Sequence, residues 1–179
     1  ANAHALARYA ALCQAGGLVP IVEPEVLIDG THSLEECYRV TDTTLHALFH
    51  QLYMQDVAYD QMILKPSLVV PGKESGESVS VEAVAEATVR CLLKNVPAAV
   101  AGIVFLFGGQ SKEKASAHLI ELNRRFVEKC PWPLTFSYAR AIQQPALEHW
   151  AGDDGHVNTA QQKRLYRATH TDLASKGNS

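Results

Sequence analysis

Two carboxylates and one lysine stand at the ends of short apolar runs, where they could do chemistry together. Glu23 and Glu25 close one run, and Lys65 closes another. Residues two apart on a strand point the same way, so the two glutamates can lie together, with Pro24 between them able to bend that register. A lysine with apolar neighbours is paired, neutral or extended to water, which separates Lys65 from an ordinary surface lysine.

This set of residue types suits Schiff-base chemistry. Desolvation lowers the pKa of a lysine amine, and a deprotonated amine attacks a carbonyl to form a Schiff base. One carboxylate would protonate the carbinolamine hydroxyl as water leaves, while the other orients Lys65 or keeps the first in its working protonation state. The spacing does not say which does which. Taken singly, the glutamates are turn residues and Lys65 is as often half of a buried ion pair, so the combination favours the catalytic interpretation.

Two further groups could hold an anion. Gly108 and Gly109 precede a helix start, where free backbone N–H groups bind anions, and Arg140 offers a guanidinium fork that suits phosphate. Ser137 lies at the end of the same apolar run as Arg140. A Gly-Gly pair at such a turn more often serves backbone geometry, and a lone arginine is more often a surface cation. A small polar or anionic substrate is compatible with this set.

Helices and strands alternate along the sequence. Ser33 and Glu36 form a capping box, Ser80 can cap another amphipathic helix, and the pair Gly16-Gly17 can end the first one. The pattern predicts helices at residues 4–14, 34–53, 81–95, 111–129, 140–150 and 159–173, and strands at residues 18–22, 62–65 with 67–70 beyond it, 102–107 and 134–138.

This order predicts an α/β fold with parallel strands, right-handed crossovers and functional groups beyond the carboxyl ends of the strands. Four βα units are half of an eight-stranded barrel, and a closed barrel normally needs about 250 residues. We therefore expect residues 1–179 to form one domain without a linker, too short to close such a barrel alone.

The composition narrows the class of protein. The chain has 179 residues, of which 47% are hydrophobic, and its net charge of −3 with a pI near 6.2 gives no basic field for nucleic acid. Its apolar stretches are too short to cross a membrane and its start does not resemble a signal peptide, so we expect a cytoplasmic protein.

His46 and His50 have the spacing of a metal pair without a third ligand nearby, and we expect neither metal nor cofactor. The expected buried, reduced thiols are Cys13, Cys37, Cys91 and Cys130.

Four motifs in order carry a resemblance to a known family: VPIVEPE at 19–25, ILKP at 63–66, FLFGGQS at 105–111 and TFSYAR at 135–140. With the opening helix and strand, they make the chain resemble class I fructose-bisphosphate aldolase. The similarity continues to about residue 173 and so covers essentially the whole chain.

The resemblance implies a TIM-type (β/α)8 barrel that cleaves fructose 1,6-bisphosphate reversibly into dihydroxyacetone phosphate and glyceraldehyde 3-phosphate through a lysine Schiff base. This is a lyase reaction of glycolysis and gluconeogenesis, with a sugar phosphate as the partner. Lys65 matches the Schiff-base lysine, Glu23 the proton shuttle and Glu25 its companion carboxylate. The positions that match the substrate-phosphate site are Gly108, Gly109, Ser137, Ala139 and Arg140.

The chain departs from the family pattern at two positions and at both of its ends. Phe107 stands where the family has a serine on the phosphate, and losing that hydrogen bond to a charged group should weaken phosphate binding by ~1.5 to 3 kcal/mol. Ala139 replaces a glycine but keeps the backbone N–H. The family's first four strands, with an aspartate and two lysines that act on substrate, would precede Ala1, and its flexible tail with a terminal tyrosine is lacking at Ser179.

Three alternatives follow. The chain is the C-terminal half of an aldolase, active with an N-terminal half from a longer precursor or a second chain. Alternatively, it is a catalytically silent half barrel, a remnant or interaction module, or a Schiff-base aldolase whose substrate lacks one phosphate. Because a half barrel exposes two sheet edges, we expect either a homo-oligomer or a complex with the missing half.

Overall fold

A computed structural model describes residues 1–106, 112–137 and 140–176, except for the side chains of residues 112, 113, 140, 141 and 174. The helices are α1 (Asn2–Ala15), α2 (Leu34–Met54), α3 (Val81–Asn95), α4 (Lys112–Phe126), α5 (Arg140–Trp150) and α6 (Val157–Ser175). The strands are β1 (Ile21–Val22), β2 (Ile63–Leu64), β3 (Gly102–Phe105) and β4 (Leu134–Phe136). Short 3-10 helices lie at Tyr59–Gln61, Val127–Lys129 and Asp154–His156. The predicted order of elements is confirmed.

The predicted helix caps are largely confirmed. The Ser33 and Ser80 hydroxyls accept hydrogen bonds from the backbone N–H groups three residues on, at 3.1 and 3.2 Å. The Glu36 carboxylate does not complete a capping box but pairs with the Arg39 guanidinium at 2.6 Å. At the end of α1, the left-handed residue is Gly17, whose φ is +74°.

The strands are shorter than predicted. Leu18 and Val19 were expected in the strand, yet 65% and 62% of their surface is exposed. Pro20 has no N–H to donate to a ladder, which explains why the predicted run 18–22 contributes only its last two residues. The predicted run 67–70 beyond β2 forms only a single bridge, in which Ser67 pairs with Leu106, the residue that follows β3.

The four strands form one parallel sheet in the order β1-β2-β3-β4, as predicted. The register aligns Val22, Leu64, Ile103 and Leu134 in one row, and each is at most 3% exposed. These side chains share one hydrophobic core with residues of the flanking helices, such as Leu45 of α2, Leu92 of α3 and Leu119 of α4. The sheet therefore buries one face against its helices.

The opposite face of the sheet is more open. Alternation along the strands puts Glu23, Lys65, Val104 and Thr135 in one row on this face. Val104 and Thr135 are half-buried, and Ile21, in the preceding row, is 45% exposed. The two charged side chains thus share the face that the core does not occupy.

Other expectations from the sequence can be compared with the fold. The described residues include no helix that is both long enough and apolar enough to cross a membrane. All four cysteines are free thiols, but Cys13 and Cys130 are only half-buried, which corrects the expectation that all would be buried. Burial raises the pKa of the Cys91 thiol to about 12, so this group stays protonated at neutral pH.

The Thr88→Val variant should be clearly less stable than the parent. The Thr88 hydroxyl accepts the buried Val69 N–H at 3.0 Å, joining α3 to the segment after β2, and valine would leave that donor unpaired. We expect the free energy of unfolding in urea to fall by about 1–3 kcal/mol. Thr43→Val is the matched control. The Thr43 hydroxyl donates to the Arg39 backbone carbonyl on the exposed side of α2, so losing this bond should cost under about 0.5 kcal/mol. Equal losses in both variants would contradict this account.

Candidate active site

A lysine–glutamate ion pair joins β1 to β2 at their carboxyl ends. Lys65 Nζ lies 3.0 Å from Glu23 Oε1, and the two side chains are 20% and 44% exposed. The backbone fixes this contact, because the Lys65 N–H donates to the Val22 carbonyl at 2.7 Å and so continues the parallel ladder one step beyond β2. The structure thus brings together two of the residues that the sequence analysis grouped.

The geometry of this pair suits proton transfer. At 3.0 Å a proton can pass directly between the amine and the carboxylate. The lysine's four-carbon stem crosses a half-buried surface, while part of the side chain still reaches solvent. A small carbonyl compound entering from the open face could therefore meet the amine with an acid–base group already beside it.

Glu25 occupies a different place from Glu23. Pro24 between them is buried, and Glu25 is exposed and lines a narrow cleft with Val26, Ser67 and Leu106. The ion pair of Lys65 is made by Glu23. The spacing left open which carboxylate would meet the lysine, and the structure assigns that contact to Glu23.

The loops that follow β1 and β2 are joined to each other, a feature that the sequence analysis missed. The N–H groups of Gly72, Lys73 and Glu74 donate to the carbonyls of His32, Ile28 and Gly30 at 2.9, 2.9 and 3.0 Å. The Lys73 ammonium pairs with the Asp29 carboxylate at 3.1 Å, and a Glu77 carboxylate oxygen accepts the Leu34 N–H at 2.9 Å. We call this set of contacts between residues 28–34 and 72–77 the loop clamp.

A glycine at position 72 allows the loop clamp to close. A Cβ on Gly72 would overlap the carbonyl group of Gly30 and crowd the His32 ring. In the sequence, the stretch after β2 is polar and contains glycines, but backbone pairing between distant segments leaves little trace in side-chain periodicity. The clamp ties together the segments that leave the strands carrying Glu23 and Lys65.

The predicted anion-binding residues are only partly described. Ser137 is half-buried at the end of β4, where its N–H donates to the Phe105 carbonyl at 2.9 Å. Arg140 is the first residue of α5. Its side chain lies outside the described part of the chain, as do Phe107, Gly108, Gly109 and Ala139. The phosphate site therefore stays a prediction.

The two histidines with the spacing of a metal pair lie on α2, outside the strand ends that carry Glu23 and Lys65. His46 and His50 are both exposed on α2, as solvated helix residues are. Within the described ranges, no group of three or more His, Cys, Asp or Glu residues is arranged to hold a metal ion.

The comparisons with known proteins agree on one family. A family model described as fructose-bisphosphate aldolase class-I matches residues 1–179. A probable fructose-bisphosphate aldolase class 1 of Xanthomonas axonopodis pv. citri is 54% identical over 178 residues, which are 99% of this chain and 53% of that protein. Cytosolic fructose-bisphosphate aldolase 4 of Arabidopsis thaliana is 48% identical over 98% of this chain and 44% of its own length.

A solved structure shares the fold. The fructose-bisphosphate aldolase from Plasmodium falciparum, solved in complex with TRAP and a small molecule inhibitor, superposes with a TM-score of 0.95 at 44% sequence identity. The match covers 99% of this chain and 50% of that one. The chain thus spans about half the length of the relatives it matches.

The Gly72→Ala variant should open the loop clamp. Because the added methyl group collides with the Gly30 carbonyl, the amides of residues 72–74 should exchange with solvent about tenfold faster or more. The measurement is amide hydrogen exchange followed by mass spectrometry. Gly16→Ala is the control, since Gly16 has φ of −85° and the nearest atom to its added Cβ is 3.4 Å away. Unchanged protection at residues 72–74 would refute the clamp.

Proposed function

The chain belongs to the class I fructose-bisphosphate aldolase family, and from this membership we propose that it forms the Schiff-base half of an aldolase (β/α)8 barrel. The complete barrel would cleave fructose 1,6-bisphosphate reversibly into dihydroxyacetone phosphate and glyceraldehyde 3-phosphate. The observation that carries this proposal is the 3.0 Å Lys65–Glu23 pair on the open face of a four-stranded parallel sheet.

In this mechanism Lys65 is the nucleophile and Glu23 moves the protons. Glu23 accepts a proton from the Lys65 ammonium, and the neutral amine attacks the ketose carbonyl carbon to give a carbinolamine. Glu23 then returns a proton to the carbinolamine hydroxyl, which leaves as water while the C=N bond forms. The protonated Schiff base accepts the electron pair of the carbon-carbon bond while the adjacent hydroxyl gives its proton to a base of the other half barrel, so that the aldehyde leaves and an enamine remains. Protonation of the enamine carbon and hydrolysis of the Schiff base then release the second product and restore the amine.

Glu25 and the phosphate-site residues take supporting roles. Glu25 lies exposed two residues from Glu23 and, as the companion carboxylate, keeps Glu23 in its working protonation state. A substrate phosphate is held by Arg140 at the start of α5, where free N–H groups favour an anion, together with Ser137. The backbone N–H groups at Gly108, Gly109 and Ala139 complete the site.

The open parts of the sheet support a half barrel that needs a second half. Beside β1, four apolar side chains are 46–68% exposed; this β1-edge strip consists of Tyr9, Leu12, Leu18 and Val19. Such a strip beside a sheet edge is unusual on a protein that works alone. We assign it to the contact with four preceding βα units, in a barrel that works in the cytoplasm like the cytosolic isozyme of Arabidopsis thaliana.

A Schiff-base trapping experiment tests the proposal. Incubation with dihydroxyacetone phosphate and borohydride should leave an adduct on Lys65, identified by mass spectrometry of peptides. Lys65→Met should abolish the adduct, and Glu23→Gln should slow its formation about 100-fold, because general acid–base help is lost. Lys73→Met is the control, since the Lys73 amine pairs with Asp29 in the loop clamp.

The same experiment separates the alternatives. An adduct that persists in the Lys65→Met variant would contradict the assignment of the lysine. A folded parent chain that forms no adduct would favour the catalytically silent half barrel. An adduct that forms with an unphosphorylated ketose as fast as with dihydroxyacetone phosphate would favour the altered substrate suggested by Phe107.

A complementation experiment tests the half barrel. Alone, the chain should self-associate in sedimentation velocity, because the β1-edge strip is exposed. Mixing with the part of the Xanthomonas axonopodis relative that this chain does not match should give a discrete complex with aldol cleavage activity. Leu18→Ser should weaken that complex more than Leu93→Ser, whose leucine is exposed on α3 away from the strip. A monodisperse monomer that ignores the other half would overturn the proposal.

A further inference from the structure

We propose that Ser67 is a positioning residue whose hydroxyl holds the Glu23-Pro24-Glu25 segment against Lys65, an inference that rests on the proposed Schiff-base function. Ser67 lies two residues after Lys65 and is half-buried. Its Oγ accepts the Val26 N–H at 2.9 Å and donates to the Val26 carbonyl at 3.3 Å. One side chain therefore satisfies both backbone groups of the residue that follows Glu25.

A missing backbone hydrogen bond explains why a side chain is needed here. In the parallel ladder between β1 and β2, the Ile63 N–H donates to the Pro20 carbonyl and the Lys65 N–H donates to the Val22 carbonyl. The next bond in this alternation would run from residue 24 to the Lys65 carbonyl. Residue 24 is proline, which has no N–H. The ladder is thus interrupted at the segment that carries both glutamates.

Ser67 reconnects the two chains immediately beyond this interruption. The segment 23–25 is tied upstream by the Lys65–Val22 backbone bond and downstream by the Ser67–Val26 pair. Ser67 itself is held in place from the other side, because Leu106 donates its N–H to the Pro66 carbonyl at 3.1 Å and forms a bridge with Ser67. Through its hydroxyl, Ser67 thereby anchors the segment that carries Glu23 to the paired strands β2 and β3.

Loss of the Ser67 hydroxyl should affect proton transfer between Glu23 and Lys65 rather than binding of the carbonyl compound. Glu23 must stay within hydrogen-bond distance of Lys65 Nζ for a proton to pass, and small displacements reduce such catalysis strongly. Both hydrogen bonds of the Ser67 hydroxyl go to the Val26 backbone, and within the described residues it bonds to neither the Lys65 amine nor the Glu23 carboxylate. Its loss should therefore slow formation of the Schiff base while leaving the concentration for half-saturation nearly unchanged.

Reductive methylation of the full chain provides a test that does not require an aldolase substrate. Formaldehyde with cyanoborohydride methylates amines through a Schiff base, and Lys73 in the same molecule is the internal reference. Ser67→Ala should lower the rate of methylation at Lys65 relative to Lys73 about tenfold, as a partial loss of general acid–base help. Ser67→Thr, which keeps the hydroxyl, should restore the ratio. Ser175→Ala, in which the parent hydroxyl donates to the Asp172 carbonyl near the end of α6, should leave it unchanged.

Trapping with dihydroxyacetone phosphate separates this inference from the proposed function. If the parent chain forms the adduct, Ser67→Ala should slow it about tenfold at saturation with little change in the half-saturating concentration. If the parent forms none, the proposed function fails, and the formaldehyde ratio alone decides the role of Ser67. An unchanged ratio in folded Ser67→Ala, or an equal loss in Ser67→Thr, would overturn the assignment.

Discussion

The parallel register between β1 and β2 is the constraint on which the candidate site depends. A single backbone hydrogen bond, from the Lys65 N–H to the Val22 carbonyl, sets the lysine beside Glu23. A slip of one residue would turn the Lys65 side chain into the core face, where Leu64 now lies fully buried. Burying an unpaired ammonium there would cost several kcal/mol, so the hydrophobic row and the ion pair enforce the same register.

The prolines that shorten the strands also shape the site. Pro24 and Pro66 interrupt the backbone ladders at the point where the functional side chains begin, which favours loops over longer strands there. The loops need other ties, and the structure supplies them through the Ser67–Val26 pair and the backbone bonds of the loop clamp. The site is therefore held from both sides, although only two residues of β1 pair with two residues of β2.

Local signals in the sequence were sufficient for much of this arrangement. Ser33 and Ser80 cap helices because their hydroxyls reach N–H groups three residues away, and the alternation of strands and helices implies the parallel order that is found. The loop clamp and the different environments of Glu23 and Glu25 were not predictable. Both depend on contacts between segments about 40 residues apart, such as that of Gly72 with His32, which no local periodicity records.

The open face gives the last physical argument for a second half. The core row at Val22, Leu64, Ile103 and Leu134 is closed by helices, whereas the face that carries Glu23 and Lys65 also bears the half-exposed Ile21. Water that reaches an ion pair screens it and competes for its hydrogen bonds, and Schiff-base chemistry gains from a drier setting. In the proposed barrel, further strands would cover this face and the β1-edge strip at once, so a single docking event would complete the core and enclose the amine.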